Sequence, residues 1–280
     1  MNIFLTLILF YIGAAIGSFL SVVIYRHKHN KKGIFTGRSS CPHCGTALAA
    51  LDLIPIFSFT AFKGRCRYCR KQISPHYIFI ELLTGLVFSL LYWKITFMSF
   101  GDIAPYMTFE WGGFFAYLYA AALGSLLMAI FFYDLLYKEI PNIFTYPGIV
   151  LGILAAVFGE VIAFNYPAML FPTIKEILYG LVIAFVVFEG QRLLSKGKWI
   201  GLGDSILAYL MAIMLGWKFF VIAIFSAYTF GTIYGLILIA TKKATLKSAI
   251  PFGPFLVIGT LTAICFGEAI LALYATYALI

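Results

Sequence analysis

Residues 196–220 read KGKWIGLGDSILAYLMAIMLGWKFF. Two lysines give way, through Gly201-Leu202-Gly203-Asp204, to a long apolar run. A carboxylate at the mouth of a membrane helix is costly, and a charge kept at that depth marks a functional site. Gly201 and Gly203 let the backbone turn tightly and leave room for a neighbouring segment. One carboxylate explains little by itself. Asp134, at the end of an earlier apolar run, supplies a second.

Working outward, the whole chain has the same character. Of 280 residues 62% are hydrophobic and only 11% are charged, with a mean hydropathy of +0.98. Soluble domains carry about 25% charged residues. The expectation is an all-α polytopic membrane protein. Eight apolar spans, each near the ~20 residues that cross a bilayer, fall at 2–24, 77–97, 113–133, 143–163, 174–194, 204–218, 219–240 and 254–277. The break between the sixth and seventh rests on the short signal Trp217-Lys218. The first span lacks a cleavage-type end and is read as a retained helix.

A formal net charge of +9 invites a nucleic-acid reading, but the cations lie in loops between apolar runs, so no nucleic-acid partner is expected. With 25–76, 134–142, 192–203 and 241–253 on one side, 17 of the 20 Lys and Arg residues share that side. Only Lys94, Lys175 and Lys218 lie opposite. This is a positive-inside pattern. It makes the charged side cytoplasmic, and it puts Asp134 and Asp204 at the same face of the bilayer.

The one sizeable polar stretch, 25–76, is too short to build a comfortable core unaided. It contains Cys41-Pro42-His43-Cys44, then 21 residues, then Cys66-Arg67-Tyr68-Cys69. Four thiolates at this spacing suit tetrahedral Zn²⁺ in a closed, structural site, and neighbouring cations favour the thiolate form. The competing reading is two reduced or redox-active pairs without metal. His43 is read as a surface residue, and Cys265, alone in an apolar run, as a small packing residue.

Taken singly, Asp134 reads as a solvated helix end supported by Lys138 four residues on, and Asp204 as an N-cap. Taken together they suit hydrolysis. Two carboxylates a few ångström apart cannot both ionise. One then activates water while the other protonates the scissile carbonyl and the leaving amine. No Ser/His/Asp set, His-Glu-x-x-His motif or phosphate loop competes. Glu189 is read as snorkelling or pairing with Arg192, the competing reading being a role near the active site.

At this point the chain resembles a known family, the type IV prepilin peptidases, which are bacterial GxGD membrane aspartic proteases. The resemblance rests on Gly17-Ser18-Phe19-Leu20-Ser21-Val22-Val23-Ile24-Tyr25-Arg26, the two cysteine pairs with Gly64-Arg65-Cys66, Glu81-Leu82-Leu83-Thr84-Gly85, Asp134 with Ile140-Pro141, Gly201–Asp204, and Ile250-Pro251-Phe252-Gly253-Pro254. It implies an enzyme of the bacterial inner membrane whose active site faces the cytoplasm. Such an enzyme removes the basic leader of prepilins and pseudopilins after Gly, usually before Phe, then methylates the new N-terminus with S-adenosylmethionine. It implies Asp134 and Asp204 as the catalytic pair, with Gly201, Gly203, Pro141, Pro251 and Gly253 as supporting motif residues. Cys41, Cys44, Cys66 and Cys69 become the metal set, and Gly64 and Glu81 are tied to methyl transfer. The domain layout expected is a first helix 1–24, a four-cysteine domain 25–76 and a seven-helix peptidase domain 77–280. Departures from the family pattern are Ser21, Asn142, and Ser205-Ile206-Leu207 after the second aspartate, where a lysine is common. The rival readings are a peptidase of this fold without methylation, and a non-enzymatic transporter or assembly protein.

Overall fold

A computed structural model describes residues 3–278 apart from 32, 35, 101–106, 163–170, 246, 247 and 249. The chain divides into two compact units, Met1–Glu110 and Trp111–Ile280.

In the first unit, α1 (Ile3–Lys28) packs antiparallel against α3 (His76–Lys94). Small residues set how closely they approach. A Cβ on Gly13 would lie 2.7 Å from Phe88, one on Gly17 2.8 Å from the Ile80 carbonyl, and one on Gly85 2.8 Å from the Phe10 carbonyl. Helices in lipid gain little from burying apolar surface against each other, so close backbone contact through small residues supplies the packing. Between the two helices lie the cysteine turns, a 3₁₀ turn (Ala50–Leu53) and the short α2 (Phe57–Ala61). A two-stranded antiparallel ribbon follows, β1 (Met98–Phe100) with β2 (Met107–Phe109), pairing Met98 with Phe109. This ribbon is the one described departure from the all-α expectation.

The second unit is helical among the described residues. It comprises α4 (Trp111–Tyr137), α5 (Asn142–Ile162), α6 (Ile174–Ala184), a π-helical turn (Phe185–Glu189), α7 (Gly190–Leu194), α8 (Leu202–Ala240) and α9 (Gly253–Ala278). Thr173 caps α6 by accepting a hydrogen bond from the Glu176 amide, and the Glu176 carboxylate accepts one from the Thr173 amide. The π turn lies inside the fifth expected span and ends at Glu189.

Among the described residues seven helices are long and apolar enough to cross a membrane, against the eight spans expected. The difference is α8. Its 39 residues would measure about 58 Å if straight, nearly twice a hydrocarbon core of about 30 Å. Gly216 breaks it, with φ 64° and ψ 170°. The two arms turn back on each other. Gly180 of α6 meets Ala212 on the first arm, whereas Gly259 of α9 meets Ala223 and Ala227 on the second. Tyr228 on the second arm lies within electrostatic range of Asp204 on the first. The expected spans 204–218 and 219–240 are therefore these two arms, with the reversal at Gly216 rather than after Lys218. The expected span ends at 2 and 163 lie outside the described residues.

A side chain at 216 would strain the backbone and press on Pro172, whose Cβ lies 2.9 Å from the Cβ position. Left-handed backbone costs an ordinary residue about 1–2 kcal/mol. Gly216→Val should therefore lower the melting temperature in detergent by several degrees and increase protease cutting near the reversal, whereas Gly197→Ala, where a Cβ meets nothing within 4 Å, should leave the reversal uncut.

Candidate active site

Asp134 sits near the end of α4. The helix stops four residues later, where Lys138 takes a left-handed φ of 56° and its amide donates to the Asp134 carbonyl. This is a common helix ending. Pro141 then precedes α5 and accepts a hydrogen bond from the Phe144 amide. The Asp134 residue is 5% exposed, so the solvated-helix-end reading does not hold. Its Oδ2 accepts a 2.9 Å hydrogen bond from the Gly253 amide at the start of α9. Free N–H groups and the positive dipole end at a helix N-terminus favour a carboxylate there. Gly253 has no alternative: a Cβ on it would stand 2.7 Å from that same Oδ2. Pro251 lies in the non-helical approach to α9.

Asp204 occupies the third position of α8, one turn from Gly201, which caps the helix in extended conformation. The expected N-cap role thus belongs to Gly201. Asp204 reaches back instead, its Oδ2 accepting from the Gly201 amide at 3.3 Å. Gly203 meets Ile140, whose Cβ lies 2.9 Å from where a Gly203 Cβ would stand. Ile140 also reaches to 3.2 Å from the Cβ position of Gly253. One side chain therefore wedges between the glycine beside Asp204 and the glycine bonded to Asp134. The two carboxylates interact electrostatically. Asp134, Ile140, Gly203, Asp204 and Gly253, separated by up to 119 residues, form one cluster.

A second polar layer lies beside it. Glu189 and Arg192 pair through two hydrogen bonds, as expected, and Ser205 Oγ, buried and without a hydrogen-bond partner among the described residues, lies near the Glu189 carboxylate. The Gln191 amide donates to Tyr228 Oη at 3.3 Å, leaving the phenol proton available to donate elsewhere. Phe252 and Phe188 flank the Tyr228 ring. Sequence reasoning missed Gln191 and Tyr228. The signal was positional: Asp204 and Tyr228 lie the same number of residues on either side of Gly216, and only the reversal brings them level.

In the first unit the four cysteine sulfurs lie within 4.8 Å of one another, with Cys41 and Cys69 3.9 Å apart. Four thiolates about 2.3 Å from a shared Zn²⁺ require sulfur separations of this order. Each pair is presented by the same turn. The Gly45 amide donates to the Cys41 carbonyl and the Arg70 amide to the Cys66 carbonyl, both at 2.9 Å. Bridges Ser40–Ala47 and Arg65–Gln72 close the two turns. The fifth residue is left-handed in both, Gly45 at φ 71° and Arg70 at φ 57°. The thiols are unequal. Hydrogen bonds from the Thr46 side chain and amide hold Cys44 at about 6. The Lys71 amide lowers Cys69, but burial and three neighbouring sulfurs push it up to about 11. Cys41, Cys44, Cys66 and Cys69 fit zinc as a closed structural site.

Gly64 and Glu81 also belong to this unit. Gly64 has φ 66°, and a Cβ on it would lie 3.0 Å from the Phe59 ring. Glu81, 8% exposed, accepts a 2.7 Å hydrogen bond from the Ile56 amide.

The purified protein should carry one zinc per chain by elemental analysis, and Cys41→Ser or Cys66→Ser, at the two most buried sulfurs, should lose it. Arg70→Gly should relieve about 1 kcal/mol of left-handed strain and slow the loss of zinc to a chelator.

Comparison with known proteins follows the same division. Residues 11–95 match the bacterial peptidase A24 N-terminal domain, and residues 121–236 match the type IV leader peptidase family. The prepilin leader peptidase/N-methyltransferase of Stutzerimonas stutzeri is 25% identical over 293 residues, covering 95% of this chain and 92% of its own. That of Aeromonas hydrophila is 28% identical over 294 residues, covering 96% and 93%. That of Myxococcus xanthus is 32% identical over 242 residues, covering 84% and 64%. No solved structure matches. With both halves matched and the similarity running nearly end to end, the chain belongs to the type IV leader peptidase family.

Proposed function

We propose that this multi-pass protein cuts the leader from prepilins and pseudopilins with Asp134 and Asp204, and then methylates the exposed N-terminus. One observation carries the peptidase half: a buried Asp134, held by the first amide of α9, faces Asp204 within electrostatic range. That arrangement has no structural need. A helix end is more cheaply built from an apolar residue than from a carboxylate out of water.

The ionised carboxylate takes a proton from water, which attacks the carbonyl carbon of the Gly before the scissile bond. The protonated partner gives its proton to the carbonyl oxygen. On collapse the C–N bond breaks and the leaving amine takes a proton from the pair. Gly253 holds Asp134 in position by its amide, and Gly201 does the same for Asp204. Ile140, packed against Gly203 and Gly253, holds the two glycine-bearing segments in register. Tyr228, bonded to the Gln191 amide, lies within electrostatic range of Asp204.

Methyl transfer we assign to the four-cysteine segment 25–76, with Gly64 and Glu81. S-adenosylmethionine supplies an electrophilic methyl group on sulfur, and zinc on Cys41, Cys44, Cys66 and Cys69 supplies rigidity without an open position for substrate. The loop-charge pattern supports an inner-membrane protein whose aspartates face the cytoplasm, where a basic leader meets the apolar pilin helix. The domain layout proposed is helix 1–24, cysteine domain 25–76 and peptidase domain 77–280.

The test uses the purified protein in detergent with a prepilin-like peptide, read by mass spectrometry. Cleavage at Gly-Phe should be lost by 10²-fold or more, the order expected for a missing acid or base, in both Asp134→Asn and Asp204→Asn. A methyl-sized mass gain should appear only with S-adenosylmethionine. Cleavage without methylation under saturating donor favours the peptidase-only reading, and no cleavage of several prepilins by folded wild type favours the non-enzymatic one. Gly253→Ala, whose new methyl would sit 2.7 Å from Asp134 Oδ2, should lower kcat at least tenfold with little change in KM.

A further inference from the structure

Residues 25–76 join α1 to α3, two helices long and apolar enough to cross a membrane. Ten Lys and Arg residues against one carboxylate, Asp52, put the whole of the chain's formal +9 in this stretch. Yet four large apolar side chains within seven residues are exposed: Leu51 and Phe57 at 61%, Leu53 at 39% and Ile54 at 37%. A linker surrounded by water has no use for such a cluster, and exposed apolar clusters mark contact surfaces. We infer that Leu51–Phe62 is a shallow re-entrant anchor, seated in the head-group boundary of the bilayer beside α1 and α3, with lipid as its partner.

The depth follows from α3. This helix has 19 residues, about 28 Å at a rise of 1.5 Å per residue, and a hydrocarbon core is about 30 Å thick. Every turn of α3 is therefore needed for the crossing. Glu81 is the sixth residue of α3, which puts it about 7 Å inside the boundary. Its Oε2 accepts a 2.7 Å hydrogen bond from the Ile56 amide. That bond holds Ile56 and Phe57 within a side chain's reach of this level, and interfacial segments bury their apolar faces by about 5–10 Å. Phe79, two residues before Glu81, is exposed as well, so α3 presents apolar surface at the level of the anchor.

The backbone is built for a medium without water. Irregular chain is tolerated at membrane depth only where its polar groups find partners within the protein. Pro55 has no amide to satisfy. The Ile56 amide goes to Glu81, the Phe57 amide to the Pro55 carbonyl and the Ser58 amide to the Ile54 carbonyl. The Thr60 hydroxyl lies 2.9 Å from both the Ile56 and the Phe57 carbonyl oxygens. Glu81 has its explanation in the same arrangement. A carboxylate at this depth in a membrane helix is costly, and here it is the acceptor that an orphan amide requires.

The chain reverses at Ile56, with φ 64° and ψ −47°. This is a clear outlier for a β-branched residue, and such strain persists only where the surroundings enforce it. The chain then returns through α2 to Lys63, Arg65, Arg67, Arg70 and Lys71, all exposed. Cations just outside an apolar anchor suit the phosphates and anionic head groups of lipid. The same charge disfavours a basic peptide as the occupant. Seated in this way, the anchor holds the cysteine turns that flank it down on the membrane surface.

The experiment uses the zinc-loaded full chain in nanodiscs of phosphatidylcholine and phosphatidylglycerol. Trifluoromethyl-phenylalanine is placed singly at Phe57, at Phe79 as a lipid-facing reference and at His43, exposed on the first cysteine turn, as a water-facing one. Fluorine NMR lines are compared with a spin-labelled lipid and with a water-soluble gadolinium chelate. Phe57 should follow Phe79, broadened at least twofold more by the lipid than by the chelate, and His43 should show the reverse. A Phe57 probe that follows His43 overturns the anchor. A Phe57 probe shielded from both reagents marks a protein partner and overturns it as well. Glu81→Gln, which keeps an acceptor for the Ile56 amide, should preserve the lipid pattern at Phe57, whereas Glu81→Leu should shift it towards the aqueous one. An unshifted Phe57 in a folded Glu81→Leu overturns the role of Glu81 in setting the depth. Should Glu81→Leu misfold, the three probes on the unmutated background decide.

Discussion

The hydrogen bond from the Gly253 amide to Asp134 is the constraint on which the second unit turns. A carboxylate out of water needs a partner, and in an apolar helix bundle few donors are free, because helical amides are committed to their own carbonyls. Helix N-termini are the exception. Placing the start of α9 against the end of α4 satisfies both orphan amide and buried acid with one contact, worth about 1.5–3 kcal/mol where a charged group takes part. The absence of a Cβ at 253 is what allows the approach.

The reversal at Gly216 does the rest. It converts one 39-residue apolar segment into two crossings and brings Tyr228 level with Asp204. The π-helical turn before Glu189 serves a similar purpose on the neighbouring span, since π turns often mark functional positions. Both devices break helical regularity within the apolar spans, and both border the same polar cluster.

The first unit solves a different problem. Its polar stretch is too small for a self-sufficient core, and two copies of one cysteine turn supply the missing rigidity. The second copy holds Arg70 in a left-handed conformation through the Arg70 amide bonded to the Cys66 carbonyl and the Arg65–Gln72 bridge that closes the turn. That rigidity is in turn what can hold Ile56 strained beside Glu81.

Much of this was legible from residues alone. Hydropathy fixed the helical membrane class, loop cations placed Asp134 and Asp204 on one side, and the cysteine spacing pointed to a single cluster. These are one-dimensional properties: transfer free energy, charge asymmetry and ligand spacing all read directly from residue type and order. The break between the sixth and seventh spans was placed after Lys218 because Gly216, unlike Trp217-Lys218, carries no polarity, and the reversal is a matter of φ and not of composition. The burial of Asp134, the roles of Gly253 and Ile140, the Gln191–Tyr228 pair and the Ile56–Glu81 bond were decided only by tertiary structure. Each depends on atoms from segments far apart in sequence meeting within about 3 Å, the hydrogen-bonding range, and nothing in a local pattern specifies which distant backbone will arrive there.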